Sequence, residues 1–325
     1  MKKIILGFLF ILTLSMFANA ATLDQMSLQF NLRTNRGQAE WRWTPMVNFE
    51  VWGKYQRFDK FTVLITAPNG TQVFKMDCKH EGDSLDEYAT IDGCKNEADT
   101  DINLTGVFGF KIIQNDNNAT LYSGKFTVDK YLYNPAKNPA FNKNFYYYID
   151  YDWRLPMMYV GKWDEPNNPT QLFCWIWIKG DFNGQNPTAQ LFYQGKKIAE
   201  ASYGEDQTYN AEENPARKFA KMRFRFEAMI KPTEQQGRNM WWKLYENPGE
   251  YEIKLMRKGE VTRTAKFTIG KDGYPVQNGV GKEVKNIYGG IIVPTQISGT
   301  SDGTINQTIL KSGWWGNPIS NLIVP

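Results

Sequence analysis

The residues able to do chemistry are few. His80 is the only histidine, so any Ser-His-Asp or Cys-His mechanism would have to use it. It stands two residues after Cys78, between Lys79 and Glu81, a setting that reads as a solvated loop. An ordinary zinc site needs several His or Cys ligands, and this inventory cannot supply them. Carboxylate pairs are the remaining enzymatic route, because glycoside hydrolysis needs only two acids. Asp150 and Asp152 lie two apart in Tyr148-Ile149-Asp150-Tyr151-Asp152-Trp153, so on a strand they share one face. The alternative is a solvent-facing strand edge, and the sequence leans toward that and away from an enzyme.

Asp99, Asp101 and Asn103 have the spacing that opens a calcium loop. Leu104 stands where an EF-hand needs glycine, and Phe110 stands where it needs a bidentate acid. What remains is a looser structural calcium site on an acidic loop. No other cofactor is suggested.

Aromatic residues make up 15% of the chain, with 11 tryptophans. Exposed Trp and Tyr can lie flat against the C–H face of a sugar ring. Trp241, Trp242, Trp314 and Trp315 are the candidates for such platforms, with the run Tyr146-Tyr147-Tyr148 beside them. Adjacent strand residues point to opposite faces, so one ring of each pair is expected in a core. Trp41 and Trp153 read as core anchors. Arg217, Lys218, Lys221, Arg223 and Arg225 form a basic ridge that alternates with Met222, Phe224 and Phe226. That pattern predicts a strand with a positive outer face, which an anionic glycan, lipopolysaccharide or nucleic acid could meet.

The compartment narrows these options. Met1-Lys2-Lys3, the apolar run Ile4 to Phe17 and the small pair around Ala18-Asn19-Ala20 have the three-part layout of a secretory signal. Cleavage is expected near Ala20, leaving a secreted or periplasmic chain. The apolar run is about 14 residues, short of the roughly 20 that cross a bilayer, and no later segment reaches that length. Ala21 follows the cut where a lipoprotein would need cysteine. The formal charge of +4 loses Lys2 and Lys3 with the signal, leaving +2. A near-neutral surface pulls weakly on phosphate, which argues against nucleic acid as partner. In an oxidising compartment Cys78 and Cys94, flanking an acidic stretch, are expected to form a disulfide. Cys174 sits inside the apolar run Leu172 to Ile178 and reads as a small buried hydrophobe.

The elements that would position these residues are strands. Three landmarks recur in order. Gly106-Val107-Phe108-Gly109-Phe110-Lys111 matches Gly249-Glu250-Tyr251-Glu252-Ile253-Lys254. Lys125-Phe126-Thr127-Val128 matches Lys266-Phe267-Thr268-Ile269. Upstream, Trp41-Arg42 with Pro45-Met46 matches Trp153-Arg154 with Pro156-Met157. The spacing grows from about 112 to about 142 residues, which predicts an insertion of about 30 in the second copy. Alternating apolar positions such as Tyr251, Ile253 and Leu255 read as half-buried strands. Pro68-Asn69-Gly70 and Lys258-Gly259 read as hairpin turns. Short helices are expected only over 238–245 and 304–311.

The final hairpin of each copy, with the phrase Pro248-Gly249-Glu250-Tyr251-Glu252-Ile253, resembles the closing strand pair of immunoglobulin-like or fibronectin-like domains. The resemblance implies architecture alone. The expectation is therefore an all-β chain of two tandem immunoglobulin-like/fibronectin-like β-sandwich domains from an internal duplication, with few short helices. The signal spans 1–20, the first sandwich 21–131, a linker 132–145, the second sandwich with its insertion 146–272, and a packed C-terminal tail 273–325. The functional expectation is an exported, non-enzymatic binding or cell-envelope structural protein with a protein or glycan partner. A carbohydrate-active enzyme or glycan-binding protein is the alternative, and strand addition to a neighbouring subunit is a third reading.

Overall fold

The computed structural model describes residues 21–36, 40–52, 60–80, 88–96, 100–133, 143–151, 154–155, 157–162, 172–180, 187–209, 219–226, 242–277 and 290–298. The chain is all-β, as the alternation predicts. Its strands are β1 (Thr22–Asn35), β2 (Arg42–Trp52), β3 (Lys60–Thr66), β4 (Gln72–His80), β5 (Tyr88–Asn96), β6 (Gly106–Gln114), β7 (Ala119–Leu132), β8 (Phe145–Ile149), β9 (Met157–Lys162), β10 (Leu172–Lys179), β11 (Thr188–Tyr193), β12 (Lys196–Tyr209), β13 (Phe219–Phe226), β14 (Gly249–Arg257), β15 (Glu260–Ile269) and β16 (Ile291–Ile297). The expected helix over 238–245 appears, within the described residues, as one 3-10 turn at Leu244–Glu246. The other expected helix, over 304–311, lies outside the described residues.

The strands form two successive antiparallel units. The first is an eight-stranded sheet in the order β1-β2-β5-β4-β3-β6-β7-β8, and the second is a closed barrel. Begun at β9, the barrel runs β9-β10-β13-β12-β11-β14-β15-β16 and returns to β9. The two orders are identical when each strand of the first unit is matched with the eighth strand after it.

The register repeats as well. β6 and β7 slip between Ile112 and Ile113, while β14 and β15 slip between Leu255 and Met256, the corresponding positions of the repeated sequence. β3 and β4 slip at Ile65/Thr66, and β11 and β12 slip at Leu191/Phe192. Gly106 and Gly249 each open their strand at positive φ, +117° and +135°, a conformation that side chains strain to adopt.

Three expectations change. The second unit is a closed barrel where a two-sheet sandwich was expected. Closure pairs β16 with β9 from Ile291↔Val160 to Pro294↔Met157 and so removes both edges. A sandwich and a barrel share the same in–out alternation, so sequence periodicity does not separate them. Next, the upstream landmark is not a structural equivalence. Arg42 opens β2, whereas Arg154 precedes β9, which holds the place of β1. The added length of the second unit is instead largest between β13 and β14. Finally, the domain limits move. β8 pairs with β7, so Tyr146 to Ile149 extend the first unit, and β16 brings part of the expected tail into the barrel wall.

Inward side chains fill both units. The first core gathers Trp43, Val47, Phe49, Phe61, Val63, Ile65, Phe108, Ile112 and Val128. The barrel core gathers Met158, Val160, Cys174, Ile176, Leu191, Met222, Phe224, Ile253, Leu255 and Val293. Cys78 and Cys94 are disulfide-bonded and join β4 to β5.

In the first unit β1 and β8 lie side by side without a shared ladder among the described residues. The joint to the barrel sits there. Tyr151 and Leu155 from the connection, with Trp177, Phe219 and Ile297 from the barrel, belong to the first unit's core cluster. Tyr151 stacks on Trp177 at 5.0 Å, and Arg154 covers the same indole at 4.7 Å. No helix among the described residues is long and apolar enough to cross a membrane.

Candidate ligand-binding surface

β10 is buried along almost its whole length. Its inward residues Leu172, Cys174, Ile176 and Ile178 serve the barrel core. The outward set is therefore Phe173, Trp175 and Trp177, since side chains alternate. β13 does the same with Phe224, Met222 and Ala220 inward, which turns Arg225, Arg223 and Lys221 outward. The register sets these rows directly opposite each other, as Phe173↔Arg225, Trp175↔Arg223 and Trp177↔Lys221. The outer wall thus carries three aromatic–basic rungs. Directly opposed Cβ atoms lie about 5 Å apart, close enough for cation and ring to touch.

Glycines make room for this layer. A Cβ on Gly161 would stand 2.6 Å from the Phe173 ring, and one on Gly290 would collide with Tyr159. Tyr159 lies opposite Trp175 across β9, with ring centroids 5.7 Å apart. Lys221 places its Nζ 3.8 Å from the centre of the Trp175 ring. The end rung, Trp177 with Lys221, is buried, and Trp177 lies beneath Tyr151 and Arg154. The outer face therefore carries one indole, of Trp175, and two guanidinium groups, of Arg223 and Arg225, that each keep part of their surface exposed. A planar fork holds a carboxylate or phosphate through two parallel hydrogen bonds.

The basic ridge is thus a strand with an outward positive row over Lys221, Arg223 and Arg225, while Arg217 and Lys218 lie outside the described residues. The aromatic partner was hidden in the sequence. Leu172 to Ile178 reads as one apolar run, and only the alternation of Phe173, Trp175 and Trp177 with smaller residues marks a second face.

The other candidates fall elsewhere. Trp242 is buried, donates its Nε1 hydrogen to the Tyr251 hydroxyl at 2.9 Å and packs edge-on against Tyr193. The Tyr251 hydroxyl in turn donates to the Asn247 carbonyl at 2.8 Å. Burial pushes the Tyr251 phenol well above its ordinary range. Trp242 therefore packs with the barrel core. Trp241, Trp314 and Trp315 lie outside the described residues.

Asp150 follows β8, and its amide donates to the Thr127 carbonyl at 3.0 Å. Asp152 lies outside the described residues, so no pair geometry is defined. Asp101 accepts from the Asn35 amide at 2.9 Å and stands 3.7 Å from Arg42. Asn103 donates to Glu40 at 2.9 Å. These contacts fasten the 100–104 segment to the end of β1, to Glu40 and to β2, where Trp43 and Ile102 exchange backbone hydrogen bonds. Asp99 lies outside the described residues. Among the described residues no group of three or more His, Cys, Asp and Glu is placed to hold a metal. The His80 side chain is likewise outside the description. Cys174 is buried, which pushes its thiol pKa far up and keeps it from acting as a nucleophile.

The fold and this outer face define an all-β chain of two like units with an aromatic–basic surface. No protein-family profile matches the chain, and no curated protein shows significant similarity to it.

Proposed function

We propose that the chain is an exported, non-enzymatic binding protein that presents the outer face of its barrel to an extracellular or envelope ligand. The observation behind this reading is the aromatic–basic rungs, with Trp175, Arg223 and Arg225 still partly exposed. The signal layout, with cleavage near Ala20, and the Cys78–Cys94 bond support export to the periplasm or beyond. We further propose that the two units arose by tandem duplication of one eight-stranded module. The shared strand order, register slips and positive-φ glycines support that reading.

The test is a panel of soluble glycans and envelope polymers applied to the mature protein. Saturable binding without release of reducing ends is expected. Turnover of any panel member would replace the binding reading with the enzymatic one, and Asp150→Asn with Asp152→Asn would be the first variants to compare.

A further inference from the structure

Resting on the export reading above, we infer that the first unit holds a seat for the chain's own new N-terminus. Cleavage after Ala20 leaves an α-ammonium on Ala21, and Gln114, backed by Asp116, receives it.

Ala21 immediately precedes β1, and chain ends are poorly ordered unless something ties them down. This end is tied down. The Ala21 methyl is buried in the first core, and the ladder starts at once with Thr22↔Trp52. The Ala21 nitrogen donates to Gln114 Oε1 at 2.7 Å, in a buried bond between residues 93 apart in sequence. Gln114 closes β6 and is fully buried. Its Nε2 donates to Asp116 Oδ2 at 3.1 Å, on the exposed turn between β6 and β7. An amide that donates to a carboxylate accepts better at its own oxygen, because linked hydrogen bonds polarise one another. A carboxylate charge is thus relayed through a buried amide to one nitrogen.

A cation answers that charge better than a neutral amide does. In the uncleaved chain the Ala21 nitrogen belongs to a peptide bond and has one hydrogen, which Gln114 accepts. Hydrolysis breaks the Ala20–Ala21 bond. The hydroxyl of water goes to the Ala20 carbonyl carbon and its hydrogen to the Ala21 nitrogen, which then takes a proton from solvent. The product has three donors and a full charge, and bonds from an ionised donor are roughly twice as strong as neutral ones. Small residues at Ala18 and Ala20 mark the cut, while Gln114 and Asp116 fix where the fold begins. These separate signals meet at Ala21.

The test compares three preparations of the full chain. One begins at Ala21 after protease removal of a fused tag, one carries a Gly-Ser extension before Ala21, and one is exported from a Gram-negative host under its own signal. An α-amine titrates well below lysine, so an acylating reagent at about pH 7 labels the N-terminus first. In the native mature chain the N-terminal peptide should label about tenfold more slowly than in urea, the scale of one charge-assisted bond. Urea unfolding should give the extended chain a folding constant about fivefold or more below that of the mature chain. Gln114→Leu should bring native labelling up to the rate in urea. Asp116→Asn keeps an acceptor on an exposed turn and removes the charge, so it should speed labelling and narrow the stability gap. It carries the test if Gln114→Leu fails to fold.

Native labelling as fast as in urea, equal stability of the mature and extended chains, or a gap that Asp116→Asn leaves unchanged would each overturn the seat. An exported product cut at another bond, read by intact mass, would overturn it too and leave the export reading standing. A chain retained uncleaved in the cytoplasm would sink the export reading and this inference with it, whatever the labelling showed.

Discussion

Arg154 donates its Nη2 hydrogen to the backbone carbonyl of Leu28, 2.7 Å away and 126 residues earlier in the chain. The bond is buried, and it joins the connection between the units to β1 at the seam the first unit leaves unpaired. The same guanidinium lies over Trp177 of the barrel wall. One side chain therefore satisfies a strand-edge carbonyl and packs the joint. Arg154→Met should cost about 2 kcal/mol, the loss of a hydrogen bond to a charged donor. Trp177→Ala should cost about 3–5 kcal/mol. Because the first core runs on into Trp177, Phe219 and Ile297, the two units should unfold together. Urea unfolding followed by circular dichroism and by tryptophan fluorescence should give coincident curves. Two separated transitions in the wild type would refute the shared core.

The equivalent glycines Gly106 and Gly249 should respond unequally to alanine. Both sit at positive φ, so each substitution carries backbone strain of about 1 kcal/mol or more. At Gly106 the new Cβ would stand 2.9 Å from Pro68 Cγ, while at Gly249 the nearest atom, on Tyr193, is 3.6 Å away. Gly106→Ala should lower Tm further than Gly249→Ala. The reverse order in a thermal melt would contradict this geometry.

Cysteine chemistry should divide cleanly. Loss of the Cys78–Cys94 bond in Cys78→Ser/Cys94→Ser should lower stability by about 3 kcal/mol on the chain-entropy account. The Cys174 thiol is fully buried and held protonated. A thiol reagent should label it only in denaturant, giving one reactive group per chain there and none in the native protein.

Alkaline stability follows from the tyrosines. Burial pushes the Tyr122 phenol up to about 12, with Arg154 nearby pulling it down in part. Tyr147 is raised first by burial and then by the charge of Glu40, and Tyr251 is raised well beyond the ordinary range. The folded state binds these protons more tightly than the unfolded chain does. Their stabilising contribution is therefore complete below pH 10 and is lost as pH rises from 10 through 12 and above. Tyrosinate absorbance should rise steeply and together with loss of β-sheet ellipticity. Smooth ionisation near pH 10 with the fold intact would show these phenols to be accessible. Tyr122→Phe should remove part of the pH sensitivity.

Much of the fold was legible because strand alternation and turn residues are local signals. The β3–β4 and β14–β15 hairpins fall where Pro68-Asn69-Gly70 and Lys258-Gly259 place them. The Gly106 and Gly249 phrases open equivalent strands. The third landmark misled because a Trp-Arg pair can precede any strand, and two-residue coincidences carry no register. Of the candidate site residues, Trp242 turned inward because its indole N–H finds Tyr251, a partner nine residues on that no spacing rule indicates.

The sequence by itself determined the all-β class, the repeated hairpins, the Cys78–Cys94 pairing and the outward positive row of β13, each of which depends on residues close in the chain or on composition. Tertiary structure decided which strands meet. Only the strand order brings β16 back to β9 to close the barrel, and only the register of β10 against β13 sets Trp175 beside Arg223. These two strands are far apart in sequence, and a slip of one residue would turn every ring on that wall to the other face. The candidate surface exists because long-range pairing fixed that register.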